Sequence, residues 1–370
     1  MNRVKGLILC GGAGTRLRPI THTSAKQLVP VANKPILFYA LEQFAEAGIT
    51  DIGMIVGDTA EEIKAAVGDG SQWGLHVTYI RQEQPLGLAH CVLIARDFLG
   101  DDDFVMYLGD NLLQEGLVDF VTSFEAGRQS ANQPTLGGHH APPAAQILLA
   151  KVPDPQRFGV AELDEDGNAV RLVEKPDTPP SDLALVGVYL FTPKIHAIVA
   201  ELEPSERGEL EITDAIQRLI DAGEPVRTEQ IHGWWLDTGK LTPLLEANRL
   251  VLETVERSIK GTVHDSDIEG RVVVEEGAEV TGSRIRGPAV IGRDARVINS
   301  FIGPFTAVGN GCEIRGSELD HSVVLERCRL TNVPRLIDSL VGRDSEITRS
   351  DVRPRATRLL VGDHSQVDLG

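Results

Sequence analysis

From about Gly270 to the end of this 370-residue chain, the helical period vanishes and a six-residue rhythm takes over: an aliphatic residue, often a Gly next, then polar residues. Ile291-Gly292 leads to Val297, Ile302-Gly303 to Val308-Gly309 and Ile314, Val341-Gly342 to Ile347, and Val361-Gly362 to Val367. Each aliphatic side chain is expected to point inward at one corner of a triangular coil, with small residues easing the turn, as in a hexapeptide β-helix. The rhythm slips around Asn299–Phe301 and Thr331–Arg335, which marks irregular turns. An ordinary β-sandwich is the alternative.

The preceding part has a different pattern. Short β-branched runs at Leu7–Cys10, Ile52–Val56, Val77–Ile80 and Phe104–Leu108 alternate with helical patterns over Pro35–Ala47, Ala60–Val67 and Leu88–Asp97, which predicts an α/β domain with a mainly parallel sheet. The pattern then becomes mixed. Strands are expected at Ala145–Lys151, Val160–Leu163, Val170–Glu174 and Leu185–Phe191, and helices near Glu211–Asp221 and Lys240–Glu256. The Gly- and Pro-rich stretch Arg128–Ala144 is expected to be a loop. The domains expected are residues 1–257 and 258–370.

Charge separates the two parts. Residues 259–370 carry 15 Lys and Arg against 17 Asp and Glu, so nearly all of the formal charge of −18 sits in the first part. No basic run offsets it, which argues against nucleic acid or an anionic membrane as partner. Anionic substrates would need a few placed cations. The apolar stretch Leu7–Cys10 is too short for a signal-peptide core, and no run approaches the roughly 20 residues of a membrane span, so a cytoplasmic protein is expected. Cys10, Cys91, Cys312 and Cys328 lie far apart, without metal spacing, and are expected to be buried thiols.

Four segments can carry chemistry. GGAGTRLRP, Gly11 to Pro19, follows the first strand directly, and Lys26-Gln27 comes soon after. Glycines there let backbone N–H groups approach phosphate oxygens, and Arg16 and Lys26 can bind a triphosphate. It is neither a Walker loop nor a dinucleotide fingerprint; a tight turn with surface cations is the alternative. In LGDN, Leu108 to Asn111, a buried strand ends in Gly-Asp, where ligands of open α/β sheets bind, so Asp110 is a Mg²⁺ candidate. Asp237 of WWLDTG is a second one. Helix or turn capping is the alternative for both. In VEKP, Glu174 can accept hydrogen bonds from sugar hydroxyls while Lys175 binds a phosphate, unless the two form a surface ion pair.

Taken together, GGAGTRLRP…KQLVP, QPLGLA, LGDN, FGV, EKP, VGVY, GELEITD and WLDTG resemble the glucose-1-phosphate thymidylyltransferases over about residues 3 to 252. With the repetitive tail, the chain is most similar to the long enzymes of actinobacterial antibiotic deoxysugar pathways, the streptomycin-pathway type. The resemblance implies a Rossmann-like α/β nucleotidyltransferase domain with a mixed sheet, followed by a left-handed parallel β-helix.

It also implies a reaction: Mg²⁺-dependent transfer of a thymidylyl group from dTTP to glucose 1-phosphate, giving dTDP-glucose and pyrophosphate, in a homo-oligomer. Carried over by motif, Leu9, Gly11, Gly12, Gly14 and Thr15 contact the nucleotide, Arg16 and Lys26 the phosphates, and Gln84 and Gly87 the thymine edge. Asn111, Gly159, Glu174 and Val186 shape the sugar pocket, Lys175 holds the sugar phosphate, and Asp110 with Asp237 binds Mg²⁺. Three rivals stand beside this reading: a UTP- or GTP-using relative, acyl transfer by the repetitive tail, and a non-catalytic sugar-nucleotide-binding subunit. The last should have lost a phosphate-binding cation or metal carboxylate, and Arg16, Lys26, Asp110, Lys175 and Asp237 are all present.

Overall fold

The computed structural model describes residues 4–12, 20, 25–131, 141–238, 241–349, 361 and 364–368. They fall into two compact units, Met1–Ala13 with Leu37–Asp237, and Gly14–Ile36 with Thr238–Gly370.

The first unit is built on one mixed sheet in the order Ala169–Glu174, Gly159–Leu163, Leu183–Phe191, Asp103–Leu108, Val4–Cys10, Asp51–Val56 and His76–Arg81. The last four strands run parallel, with Leu9 in register with both Leu108 and Ile55, whereas Leu183–Phe191 runs antiparallel to Asp103–Leu108. Leu7, Ile8 and Cys10 are fully buried. A strand covered on both faces reads as a continuous apolar run rather than an alternation, which is why Leu7–Cys10 stood out. All four cysteines are free and buried. Among the described residues, no helix is long and apolar enough to cross a membrane.

Several local expectations need correction. Helix Val118–Ala131 extends beyond Arg128, where a loop was expected; residues 132–140 of that stretch lie outside the described residues. The single helix expected over Leu88–Asp97 is two, Leu88–Ile94 and Arg96–Leu99. Helix Ile195–Ala200 and strand Val226–Gln230 were not expected; the latter pairs only with Ala145–Lys151, at the sheet margin.

His196, in helix Ile195–Ala200, is a buried imidazole stacked on Phe104 at 5.9 Å, and neither ring nitrogen has a hydrogen-bond partner among the described residues. Burial, and after it the charge of Arg96, pushes its pKa down to about 4, with Asp101 acting in the opposite direction. As pH falls below the ordinary histidine value, the unfolded chain takes up a proton that the folded one refuses. Stability is therefore complete at neutral pH and is lost as pH falls towards 4. His196→Phe is expected to spare about 1–2 kcal/mol of the loss between pH 7 and 5, read by urea unfolding at the two values.

The second unit is a parallel β-helix of three sheets. Their strands begin at Ser258–Ile259, Thr262–His264 and Asp267–Glu269 and are followed by five, five and four further strands. Val280, Val297, Ile314 and Leu330 are paired in sequence and fully buried. Val272 pairs with Ala289 and Ala289 with Thr306, so a coil takes 17 residues rather than three sixes. One side of each coil is five residues long, as in Val280 to Ile285 and Val297 to Ile302, and this is the slip seen at Asn299–Phe301. Val361 and Val367, expected to continue the repeat, are exposed and in no strand.

At one corner the buried hydroxyls of Ser283, Ser300 and Ser317 form a ladder. Each donates to a carbonyl of its own coil, those of Thr281, Ile298 and Arg315, and accepts the N–H of the next coil, from Ser300, Ser317 and Val333. Corner backbone groups that a sheet would leave unpaired are thus satisfied. The first sheet is covered by helix Leu241–Leu252 and the tight Pro30–Pro35 hairpin. Asn248 accepts the Ala32 N–H at 3.0 Å and donates to the Phe305 carbonyl at 2.9 Å, and Asn33 donates to the Val308 carbonyl at 2.7 Å. Outward-facing Val290 and Ala307 are buried as a result.

Candidate active site

In an open parallel sheet, every helix N-terminus and connecting loop at the carboxyl ends of the strands faces the same crevice, and ligands bind there. Here Gly11 and Gly12 follow Cys10, Gln82 follows Arg81, and Gly109-Asp110 follows Leu108. The Gly109 N–H donates to the Leu9 carbonyl at 3.0 Å, tying the glycine turn to the Asp110 turn. The Leu9 side chain is buried in the core, so any contact it makes with a ligand runs through its backbone. Gly14, Thr15 and Arg16 lie outside the described residues.

Asp110 is buried and is followed not by a helix but by the strand Asn111–Leu113, which removes helix capping as an explanation for it. That strand pairs antiparallel with Trp235–Asp237, and the register sets Asp237 opposite Asn111, the neighbour of Asp110. Two carboxylates 127 positions apart thus end in adjacent ladder positions. No cluster of three or more His, Cys, Asp or Glu that could hold a metal exists among the described residues. A two-carboxylate site suits a cation that keeps water and substrate phosphate oxygens in its shell.

Asn111 is almost fully buried, and its amide donates to the Val186 carbonyl, where the pairing of Leu183–Phe191 shifts register. Strands Gly159–Leu163 and Ala169–Glu174 pair so that Gly159 faces Glu174, and the Lys175 N–H closes on the Phe158 carbonyl at 3.0 Å. Lys175 Nζ lies 3.0 Å from Glu174 Oε1, and Thr213 donates to Glu174 Oε2 at 3.3 Å. Gly159, Glu174, Lys175, Val186 and Asn111 are therefore brought together by four neighbouring strands.

Three polar residues stand out here that carried no assignment from the sequence. Gln84 is exposed, whereas Gln82, two positions earlier, is buried, and its amide oxygen is 2.8 Å from where a Gly11 side chain would begin. Gln82 Nε2 lies 3.1 Å from His90 Nδ1; burial lowers the pKa of His90, keeping the ring neutral and able to accept. The usable signal was position: Gln82 is the first residue past a parallel strand. Arg207 reaches Glu174 Oε1 at 3.2 Å, adding a second cation beside Lys175. In the second unit, Gln27 is fully buried next to Lys26, and neither of its amide atoms has a partner among the described residues.

Gly87 has a different job from the one its motif suggested. Its φ is +103°, and a side chain there would begin 2.4 Å from the Leu210 carbonyl oxygen. Leu210 pairs through its backbone with Leu86 and Ala89, so the Gly87 turn is clasped by the segment that carries Arg207.

A glycine turn, a carboxylate pair and a Glu-Lys pair at strand ends define a nucleotidyltransferase: the model described as Nucleotidyl transferase matches residues 5–254, and the chain belongs to that family. It is 57% identical over 367 residues, 99% of each chain, to the glucose-1-phosphate thymidylyltransferase of Streptomyces antibioticus, and 56% identical over the same span to that of Streptomyces griseus. A crystal structure of a Bacillus anthracis protein assigned to the same enzymes superposes with a TM-score of 0.60 at 35% identity, covering 67% of this chain and 94% of that one.

Proposed function

We propose that the chain transfers a thymidylyl group from dTTP to glucose 1-phosphate, releasing pyrophosphate. The observation that carries this reading is the 57% identity to the Streptomyces antibioticus enzyme along 99% of both chains, β-helix included. A glucose 1-phosphate oxygen attacks the α-phosphorus of dTTP in line, a new P–O bond forms, and the α–β bridging oxygen leaves with the electron pair as pyrophosphate. The attacking phosphate is already ionised, so no strong base is needed, and positioning with charge neutralisation carries the catalysis.

In this reading the Gly11-Gly12 turn cradles the triphosphate, Arg16 and Lys26 neutralise it, and Gln82, rather than exposed Gln84, presents an amide edge to the base. Glu174 and the backbone at Gly159 and Val186 orient the sugar, with Lys175 and Arg207 on its phosphate. Asn111, whose amide nitrogen is engaged by Val186, keeps its carbonyl oxygen for a sugar hydroxyl. Asp110 and Asp237 fit Mg²⁺, which supplies charge balance at the crowded phosphorus. The chain is further expected to act as a homo-oligomer, and the product suits entry into dTDP-deoxysugar synthesis.

The test is pyrophosphate release from each of dTTP, UTP, GTP, ATP and CTP with glucose 1-phosphate and with glucosamine 1-phosphate. Preference for dTTP with glucose 1-phosphate is the expected result. Preference for another pair would overturn the base or sugar assignment, and no release from any pair would overturn the reaction.

A further inference from the structure

The segment from Ser205 to Glu211 holds more charge than the reaction has so far used. Arg207 donates through Nη1 to both Glu174 Oε1, at 3.2 Å, and Glu211 Oε1, at 3.1 Å, and through Nη2 to Glu209 at 3.2 Å. Glu211 is the buried member of this set, 5% exposed, and also accepts from Ser205 Oγ at 3.0 Å. Its carboxylate lies on the protein side of the guanidinium, with Glu174 as the other partner of the same nitrogen. Among the described residues, the Arg207 Nε–H makes no hydrogen bond.

An arginine on a partly exposed loop has many rotamers, and holding it in one costs side-chain entropy. A buried carboxylate that is itself fixed by a serine hydroxyl removes that freedom before substrate arrives. We propose that Glu211 is a positioning residue that aims Arg207 at Glu174 and thereby prepares the sugar-phosphate side of the active site; this rests on the reaction proposed above.

The ionised form of Glu211 is held at a cost. Burial, and next the charge of Glu174, raises its pKa, and Asp214 is raised by the same two causes. Four carboxylates, Glu174, Glu209, Glu211 and Asp214, thus surround two cations, Arg207 and Lys175, in a region meant for an anion. A carboxylate retained there against burial and repulsion needs a reason that stability does not supply. Fixing the arginine is such a reason. The arrangement also reaches the base side, because Leu210, next to Glu211, is the residue whose backbone clasps Leu86 and Ala89.

The test is a double-mutant cycle on the full chain, with glucose 1-phosphate read both as KM in pyrophosphate release and as Kd by calorimetry. Glu211→Gln keeps the size and the acceptor for Ser205 but removes the charge. It is expected to raise KM and Kd for glucose 1-phosphate about tenfold, to leave KM for dTTP within about twofold, and to leave the melting temperature unchanged or higher. In an Arg207→Ala background the same change is expected to cost less than about twofold, since the residue it positions is gone. Equal costs in both backgrounds, equal losses for both substrates, or no change in KM would each overturn the proposal while leaving the reaction standing. If the wild-type chain neither binds nor uses glucose 1-phosphate, the reaction fails and the positioning role fails with it.

Discussion

Asp110→Asn is expected to lower turnover by about a hundredfold or more at saturating substrates, to raise the Mg²⁺ concentration needed for half-maximal rate, and to leave the melting temperature nearly unchanged. The reasoning starts from the sheet. Strand Asp103–Leu108 is gripped by Val4–Cys10 on one side and Leu183–Phe191 on the other, so the turn that follows is fixed whatever the side chain at 110. The Gly109 N–H, bound to the Leu9 carbonyl, holds the backbone there. Asparagine fits the same volume and keeps one acceptor, but it brings no charge into a site that must collect a triphosphate and a sugar phosphate. A cation held by one carboxylate, Asp237, and a neutral amide loses its strongest protein ligand. Steady-state kinetics over a Mg²⁺ series, with a thermal melt of each protein, measures all three effects. Turnover within threefold of wild type would remove Asp110 from the metal site.

How far such a site can be read from sequence depends on whether its signal is local. Asp110 and the Glu174-Lys175 pair were legible because each closes an apolar strand, and a strand end in a parallel sheet has a defined destination. Gln82 was not, since Gln82 and Gln84 differ only in distance from Gly87, and burial decides between them. Arg207 gave no local signal at all: its neighbours Glu174 and Glu211 are brought to it by the sheet and by the turn that precedes helix Ile212–Asp221.

The fold shows the same division. The parallel strands were legible as apolar runs, but Val226–Gln230 was not, because a marginal strand with one buried residue carries little pattern. Helix Val118–Ala131 was missed at its end, where AGRQSA is small and polar, and it is held by tertiary contacts such as the pairing of Arg128 with Asp103. In the β-helix the six-residue rhythm was visible and its regular interruption was taken for irregularity. Registers of 17 residues show that the shortened side is part of the repeat.

That repeat makes the second large expectation. Ile314→Asp is expected to destabilise the β-helix by about 4 kcal/mol or more and to lower its melting temperature by about ten degrees or more, whereas its neighbour Glu313→Lys costs less than about 1 kcal/mol. Ile314 is fully buried, between Val297 in one coil and Leu330 in the next. Removing its side chain forfeits about 2–5 kcal/mol of burial and packing, and a carboxylate in the same dry column must be desolvated or protonated as well. Glu313 occupies the adjacent outward position, in register with Arg296 and Arg329, where charges are hydrated and their pairing is weak. Since the two positions are neighbours in one three-residue strand, backbone and composition are matched, and only the direction of the side chain differs. Thermal unfolding followed by circular dichroism separates the cases. Equal losses for the two variants would mean that the inward column does not carry the stability of the coil.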